Sequence, residues 1–179
     1  LREEAADALR ELKEAGITKV VMMTGDSERT AAAIAKRVGV DEYYSEVLPE
    51  DKASFVEKEK ELGHKVIMIG DGINDSLALS SASVGIAISD GAAIAREIAD
   101  VTISADNLHE IVTLKRLSTA LMKRIHNNYR TIIGINGGLI ALGVTGIIMP
   151  TTSALLHNMS TLTISLRSMR NLLPKEEEA

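Results

Sequence analysis

The string Gly70-Asp71-Gly72-Ile73-Asn74-Asp75 combines two carboxylates, an amide and two glycines in six residues. If a strand ends at Gly70, Asp71 enters a tight turn whose glycines let the backbone approach a phosphate closely. A carboxylate there suits Mg²⁺, which prefers oxygen ligands and keeps several waters. Asn74 and Asp75 follow one turn later and can orient water or a phosphorylated group. The alternative is a turn with a helix cap, which explains an isolated Gly-Asp-Gly better than the whole string.

Two further strings place a hydroxyl and an ammonium group where an anion can bind. In Thr24-Gly25-Asp26-Ser27, the Thr24 hydroxyl can donate to a phosphate oxygen, and the N–H groups of the following helix favour anions. Taken alone, the string is explained equally well by Asp26 or Ser27 acting as a helix N-cap. Lys52 lies in the first turn of a predicted helix, where a cation is unfavourable, and this predicts an anionic partner. A solvated surface lysine is the alternative.

Helical and strand patterns alternate over the part of the chain that contains these strings. Helices are predicted over residues 2–15, 28–38, 49–62, 74–81 and 92–98, and strands over 19–23, 43–46, 66–69, 84–88 and 101–103. This alternation predicts a Rossmann-like parallel sheet covered on both faces. Functional groups collect at the carboxyl ends of such strands. We therefore expect the turns after the first and third strands to share one sheet edge and form one site.

The distribution of charge divides the chain into two environments. Residues 1–110 contain 22 Asp or Glu and 12 Lys or Arg, whereas residues 111–175 contain eight Lys or Arg and no acid. This predicts an acidic, water-facing part followed by a basic, apolar part. The chain contains no Cys, which excludes disulfides and thiolate metal sites within it. Because it begins at Leu1, we expect it to be a fragment of a longer protein.

The second part predicts a two-helix transmembrane hairpin. Residues 131–149 carry no charge over 19 positions, close to the roughly 20 residues that span a bilayer. Pro150 is expected to end this segment, and residues 151–166 are again uncharged. Basic residues flank both outer ends, so both ends should face the cytoplasm. The alternative is a glycine-rich core helix in a soluble protein. The predicted domains are residues 1–108, a basic linker helix over 109–130, the hairpin over 131–173 and an acidic tail over 174–179.

The strings TGD, PEDK and GDGINDSLAL, in this order, resemble the later half of the haloacid dehalogenase-like phosphotransfer site and P-type ATPases in particular. The resemblance covers nearly the whole chain. It implies that residues 1–108 are the C-terminal part of a haloacid dehalogenase-like phosphorylation domain. It also implies an ATP-driven cation pump whose aspartyl-phosphate forms in a DKTGT string that is absent here. ATP would be bound mainly by a nucleotide-binding domain that is also absent, so this chain alone is not expected to hydrolyse ATP.

The resemblance also implies roles for the residues in these strings. Asp71 and Asp75 would bind Mg²⁺, and Thr24 and Lys52 would hold the phosphoryl group. Asp26 would help couple nucleotide binding to domain closure. Gly25 and Asn74 would complete the catalytic set.

Two membrane segments after the catalytic domain resemble the heavy-metal (type IB) P-type ATPases. The last segment contains His157-Asn158-Met159-Ser160-Thr161. An imidazole in a bilayer is costly and usually faces a pathway or a partner, and it is a common transition-metal ligand. The predicted ligands of the transported ion are Asn136, His157, Asn158 and Ser160. The alternative is that Ser160 and Thr161 form hydrogen bonds across helices while His157 lies near the interface.

The identity of the metal stays open from the sequence. The last segment has no Asp, which the zinc, cadmium and lead subgroup typically carries there, and the copper subgroup's pair of helix motifs, Tyr-Asn and Met-Ser, is not matched as a pair, since the sequence contains Met159-Ser160 but no Tyr-Asn. The string His-Asn-x-Ser-Thr is more similar to pumps thought to handle manganese, cobalt or iron.

The expected partners are a transition-metal ion, membrane lipid and the remainder of the pump polypeptide, and no nucleic acid is expected. The predicted location is the cell membrane, as a multi-pass protein with a cytoplasmic catalytic domain. Two other interpretations remain: a soluble haloacid dehalogenase-like phosphatase, and a non-catalytic fragment that acts only with a partner half.

Overall fold

The structure is a computed structural model that describes residues 5–70, 73–88, 93–103 and 108–172. It divides into two compact units, Leu1–Thr113 and Leu114–Ala179. Asp71 and Gly72, on which part of the predicted magnesium site depends, lie outside the described residues.

Helices and strands alternate through the first unit, as the sequence predicts. The elements are α1 Ala5–Glu14, β1 Val21–Met23, α2 Glu28–Val38, β2 Glu42–Tyr44, α3 Pro49–Glu61, β3 Ile67–Gly70, a 3₁₀ turn Ile73–Asp75, α4 Ser76–Ser81, β4 Val84–Ile88, α5 Ala93–Ile98, β5 Val101–Ile103, α6 His109–Val144 and α7 Pro150–Ser168. The predicted helix over 74–81 is therefore shorter, because its first residues form the 3₁₀ turn.

All described strand pairs are parallel, but they form two sheets. β1 pairs with β2 through Val21 opposite Glu42, and β3, β4 and β5 form a second sheet in that order. The prediction of one sheet edge shared by both acidic turns is therefore wrong for the described strands. Local patterns set where a strand lies and favour a parallel partner across a helical crossover. They do not choose which strands become hydrogen-bonded neighbours.

The core of the first unit lies where α3 and α4 pack on the β3–β4–β5 sheet. Val56 and Ala78 are buried in one cluster, and Leu79 packs against Ala87 in another. Gly85 in β4 permits this packing, since a Cβ there would lie 2.7 Å from the Leu79 carbonyl oxygen. The backbone of α4 therefore rests directly on β4, and this fixes the 3₁₀ turn that precedes α4.

The second unit contains most of α6 and all of α7. Pro150 does not end the first of these helices, contrary to the prediction. α6 ends at Val144, and Pro150 opens α7. Proline is tolerated in the first turn of a helix because its missing N–H would have no partner there. Gly146, with φ +75°, lies in the connecting turn. Within the described residues, no helix combines the length and the mean hydropathy that a membrane span requires.

Candidate functional site

Lys52 and Asp75 form an ion pair between the first turn of α3 and the residue that precedes α4. Lys52 Nζ lies 2.7 Å from Asp75 Oδ1, and the two side chains are only 15% and 11% exposed. The start of α3 is held by Asp51, whose carboxylate accepts a hydrogen bond from the Leu48 N–H at 3.2 Å. Lys52 is therefore not the solvated surface lysine of the alternative interpretation.

Gly70 makes room for this buried carboxylate. A Cβ built on Gly70 would lie 2.6 Å from Asp75 Cβ and 2.9 Å from Oδ2. No other residue type fits there unless the backbone of one of the two residues shifts, because the position of the Asp75 Cβ is set by its backbone. The glycine that ends β3 is therefore required by packing against Asp75, in addition to the phosphate approach that the sequence predicts.

The Thr24 turn is closed by its own polar groups. The Thr24 hydroxyl donates to Asp26 Oδ2 at 2.9 Å, and the Asp26 N–H donates to Thr24 Oγ1 at 3.1 Å. The Thr24 N–H donates to the Tyr44 carbonyl, and the Val47 N–H donates to the Thr24 carbonyl, each at 3.0 Å. Ser27 occupies the N-cap position of α2 without a side-chain cap hydrogen bond.

Of the predicted catalytic side chains, Lys52 contacts Asp75 and Thr24 contacts Asp26. Among the described residues, no hydrogen bond or ion pair joins Thr24 or Asp26 to Lys52 or Asp75. Asn74 is exposed beside the buried Asp75. In the described part of the chain, no group of three or more His, Cys, Asp or Glu is arranged to hold a metal ion.

A cluster around Glu28 was not predicted. Tyr43 Oη donates to Glu28 Oε1 at 2.8 Å, and Ser45 Oγ donates to Oε2 at 2.6 Å. These two hydrogen bonds, with the bond from Ser45 first, lower the pKa of the Glu28 carboxyl. They join the start of α2 to β2 and to the residue that follows it. The partners are 15 and 17 residues apart, so no local pattern indicates the contact.

In the second unit, His157 and Asn136, two of the predicted ligands of the transported ion, face each other. His157 Nδ1 lies 2.8 Å from Asn136 Oδ1. With the amide oxygen as acceptor, Nδ1 is the donor, and in the neutral form of the ring Nε2 then holds a lone pair. Ser160 and Thr161 donate to the His157 carbonyl at 2.8 and 3.0 Å, within their own helix. The alternative in which these hydroxyls form hydrogen bonds across helices is therefore wrong. Asn158 is exposed.

Known proteins resemble this chain over most of its length. The family described as "Hydrolase: haloacid dehalogenase-like hydrolase" matches residues 1–83. A zinc-exporting P-type ATPase of Mycobacterium marinum is 37% identical over 95% of this chain and 23% of its own length. A manganese-exporting P-type ATPase of Mycobacterium bovis is 38% identical over 95% of this chain and 24% of its own length.

Among solved structures, a zinc-transporting PIB-type ATPase in an E2.Pi state is 33% identical. The similarity covers 97% of this chain and 28% of the chain of that ATPase, with a TM-score of 0.89. The chain thus spans about a quarter of the length of the curated relatives it matches.

Proposed function

We propose that this chain is one portion of an ATP-driven transition-metal pump. The proposal is supported by the similarity of almost the whole chain to one part of the heavy-metal P-type ATPases. The pump works through an aspartyl-phosphate, and the phosphorylated Asp lies in the part of the polypeptide that this sequence does not contain. The chain supplies the groups that hold the phosphoryl group and, in its second unit, groups that meet the transported ion.

The observation that carries this proposal is the buried ion pair between Lys52 and Asp75. An ammonium group held in a partly dry position interacts strongly with an incoming phosphoryl group, because few waters screen its charge. Asp75 orients Lys52 and keeps its charge paired until the phosphoryl group arrives. For Thr24 to donate to a phosphoryl oxygen, its hydroxyl must turn away from Asp26, which accepts it here. Phosphoryl transfer of this kind depends on such positioning and charge neutralisation.

The residues present fit Mg²⁺. Asp75 offers a buried carboxylate, the oxygen donor that this ion prefers, and Mg²⁺ binds one or two protein carboxylates together with waters and phosphate. Asp71 is proposed as the second carboxylate. When bound, Mg²⁺ supplies neutralising charge to the phosphoryl oxygens.

We assign the transported ion to the region around His157. The hydrogen bond that His157 Nδ1 donates to Asn136 Oδ1 orients the imidazole, as partners of metal-ligating histidines commonly do. This leaves Nε2 as a donor for a transition metal. Asn158 and Ser160 are the neighbouring candidate ligands, and the resemblance of this string favours manganese, cobalt or iron.

The second unit is proposed to form a membrane hairpin that packs against the remainder of the pump. Large apolar side chains on both helices are exposed, among them Ile133, Ile140, Leu156 and Leu162. Exposed apolar surface of this extent is typical of contact with lipid or with other helices. The space in front of Gly138 and Gly143 is open, so a neighbouring helix can approach closely there.

The test is metal-dependent ATPase activity of the complete pump polypeptide in lipid, with Mn²⁺, Co²⁺, Fe²⁺, Zn²⁺, Cd²⁺ and Cu⁺ compared. We expect one metal to stimulate turnover, and we expect Lys52→Ala, Asp71→Ala and His157→Ala each to abolish the stimulation. Lys58→Ala is the matched control, because Lys58 lies on the exposed face of the same helix; it should keep full activity.

Two results would contradict the proposal. If no metal stimulates turnover and the protein instead hydrolyses small phosphoesters in an Asp71-dependent way, the chain belongs to a phosphatase. If Lys52→Ala behaves like Lys58→Ala, the buried ion pair has no role in phosphoryl transfer.

A further inference from the structure

The carbonyl groups at the end of α7 are capped by a side chain from α6. The last carbonyls of a helix have no partner within the helix. Arg124 Nη1 donates to the Ser168 carbonyl at 2.9 Å and also to the Arg170 carbonyl, and Nη2 donates to the Asn171 carbonyl at 3.1 Å. A cation here also opposes the negative end of the helix dipole.

One turn further along α6, a second contact reaches the same end of α7. Asn128 Nδ2 donates to Ser168 Oγ at 2.7 Å, and Ser168 Oγ donates to the Ile164 carbonyl at 2.8 Å. Arg124 and Asn128 are half-buried, whereas the residues between them are exposed. Both side chains therefore lie on the face of α6 that is turned toward α7.

The partners of Arg124 are carbonyls because no carboxylate is available nearby in sequence. Residues 111–175 contain no Asp or Glu, so a guanidinium in this stretch finds only neutral acceptors there. Its planar fork directs several N–H groups in fixed directions. The carbonyl of the last residue of α7 and two carbonyls of the segment that follows it are held at once, which restricts both sliding and rotation of the α7 end more than a single ion pair would.

The contact between Asn136 and His157 belongs to the same antiparallel pairing. From Asn128 to Asn136 the chain advances about 12 Å along α6, and from Ser168 back to His157 it returns about 16 Å along α7, so the two spans run in opposite directions and differ by less than one helical turn. The polar contacts at Arg124, Asn128 and Asn136 occur together in this antiparallel pairing. A slip of one helical turn moves His157 about 5.4 Å from Asn136.

We propose that Arg124 and Asn128 are positioning residues that set the register of α7 against α6 and thereby hold His157 opposite Asn136. The proposal rests on the assignment of His157 to the transported ion. Neither residue touches that ion; each acts through the end of α7.

The register is tested by cross-linking, which does not depend on transport. Because the chain contains no Cys, two introduced cysteines are its only thiols. Asn136→Cys is combined in turn with His157→Cys, Ser153→Cys or Thr161→Cys, which lie on successive turns of α7, and the chain in lipid is treated with a short bifunctional thiol reagent. We expect the pair with position 157 to react preferentially.

The same pairs are then compared in the Arg124→Ala/Asn128→Ala background and in Lys123→Ala, a matched basic residue on the exposed face of α6. We expect cross-linking to spread to positions 153 and 161 only in the double variant. An unchanged preference for position 157 in the double variant would overturn the proposal, whether or not the protein transports a metal.

The functional consequence is measured as metal-stimulated turnover of the complete pump. We expect Arg124→Ala to raise the metal concentration for half-maximal stimulation about ten- to a hundredfold, with a smaller effect on maximal turnover. Arg124→Lys should restore part of this loss, since an ammonium can still donate to a carbonyl. A loss of maximal turnover at unchanged half-maximal concentration would show a merely structural role and contradict the proposal. If the unaltered pump responds to no metal, the proposed function fails, and the cross-linking result still decides the register.

Discussion

Lys52 and Arg10 each form an ion pair with an aspartate, but the two pairs differ in their exposure to water. The side chains of Arg10 and Asp7 are 67% and 61% exposed, against 15% and 11% for Lys52 and Asp75. Exposed pairs contribute about 0–1 kcal/mol, because water and salt screen them. Removing one partner of a buried pair costs about 3–5 kcal/mol, since a charge is left unpaired. Burial therefore distinguishes the pair whose disruption costs the more stability, and the role of this pair in phosphoryl transfer stays a proposal.

At the same scale, the Glu28 cluster predicts a pH dependence of stability. In the folded protein, the hydrogen bonds from Ser45 and Tyr43 lower the pKa of the Glu28 carboxyl from its ordinary value of 4.5. The stability that it contributes is therefore fully present above about pH 4.5 and is lost as the pH falls through the lower folded value. We expect Glu28→Gln to flatten the fall in melting temperature over this acid range. Glu61→Gln, on the exposed end of α3, is the control; if both variants keep the wild-type acid profile, the cluster does not stabilise the fold.

At the scale of elements, α4 is stable as a helix only when it packs against its neighbours. It contains six residues, far fewer than the roughly 12–15 that an isolated helix needs in water. Ala78 and Leu79 are buried against the sheet, and Gly85 lets the helix backbone approach β4. Because Asp75 immediately precedes α4, the packing of this helix also places the carboxylate that pairs with Lys52.

Two leucines of α4 provide a matched test of this packing. Leu79 is 1% exposed and Leu77 is 53% exposed. We expect Leu79→Ala to lower the free energy of unfolding of the first unit by about 2–5 kcal/mol, because it removes buried contacts and leaves a cavity. Leu77→Ala should change it by less than about 0.5 kcal/mol. Urea unfolding followed by circular dichroism measures both, and equal effects would contradict the described packing of α4.

At the scale of the whole molecule, the two units present different surfaces. The first is rich in acidic residues, and the second is basic, with exposed apolar side chains on both of its helices. This contrast is typical of a chain that works partly in water and partly in contact with lipid or other helices. The assignment of residues 109–130 to a linker helix and of 174–179 to an acidic tail stays a prediction.

The proposed membrane hairpin predicts how the chain partitions. We expect the chain to remain with membranes after an alkaline carbonate wash and to be released by detergent. Ile140→Arg should reduce the retained fraction, because an arginine at the centre of a membrane helix costs about 2.5–3.5 kcal/mol. Ile140→Leu is the control and should behave as the unaltered chain. Recovery of the unaltered chain in the soluble fraction without detergent would contradict the hairpin.

The sequence by itself determined where most helices and strands lie. The bounds of α2, β4 and β5 agree with the predicted ones, because apolar periodicity and glycine stops act over a few neighbouring residues. The sequence also indicated Lys52 and Asp75 as members of one site. It did so because the strings that contain these residues resemble those of a protein family. Local periodicity and capping patterns do not carry that information.

The tertiary structure alone decided which strands are neighbours, how far Lys52 is buried and what Arg124 contacts. Lys52 and Asp75 are 23 residues apart in the sequence, and Arg124 is at least 44 residues from the carbonyls that it contacts. Periodicity and capping carry no information over such separations. These contacts depend on which packed surfaces meet, and that choice is made by the burial of apolar area in the folded chain as a whole.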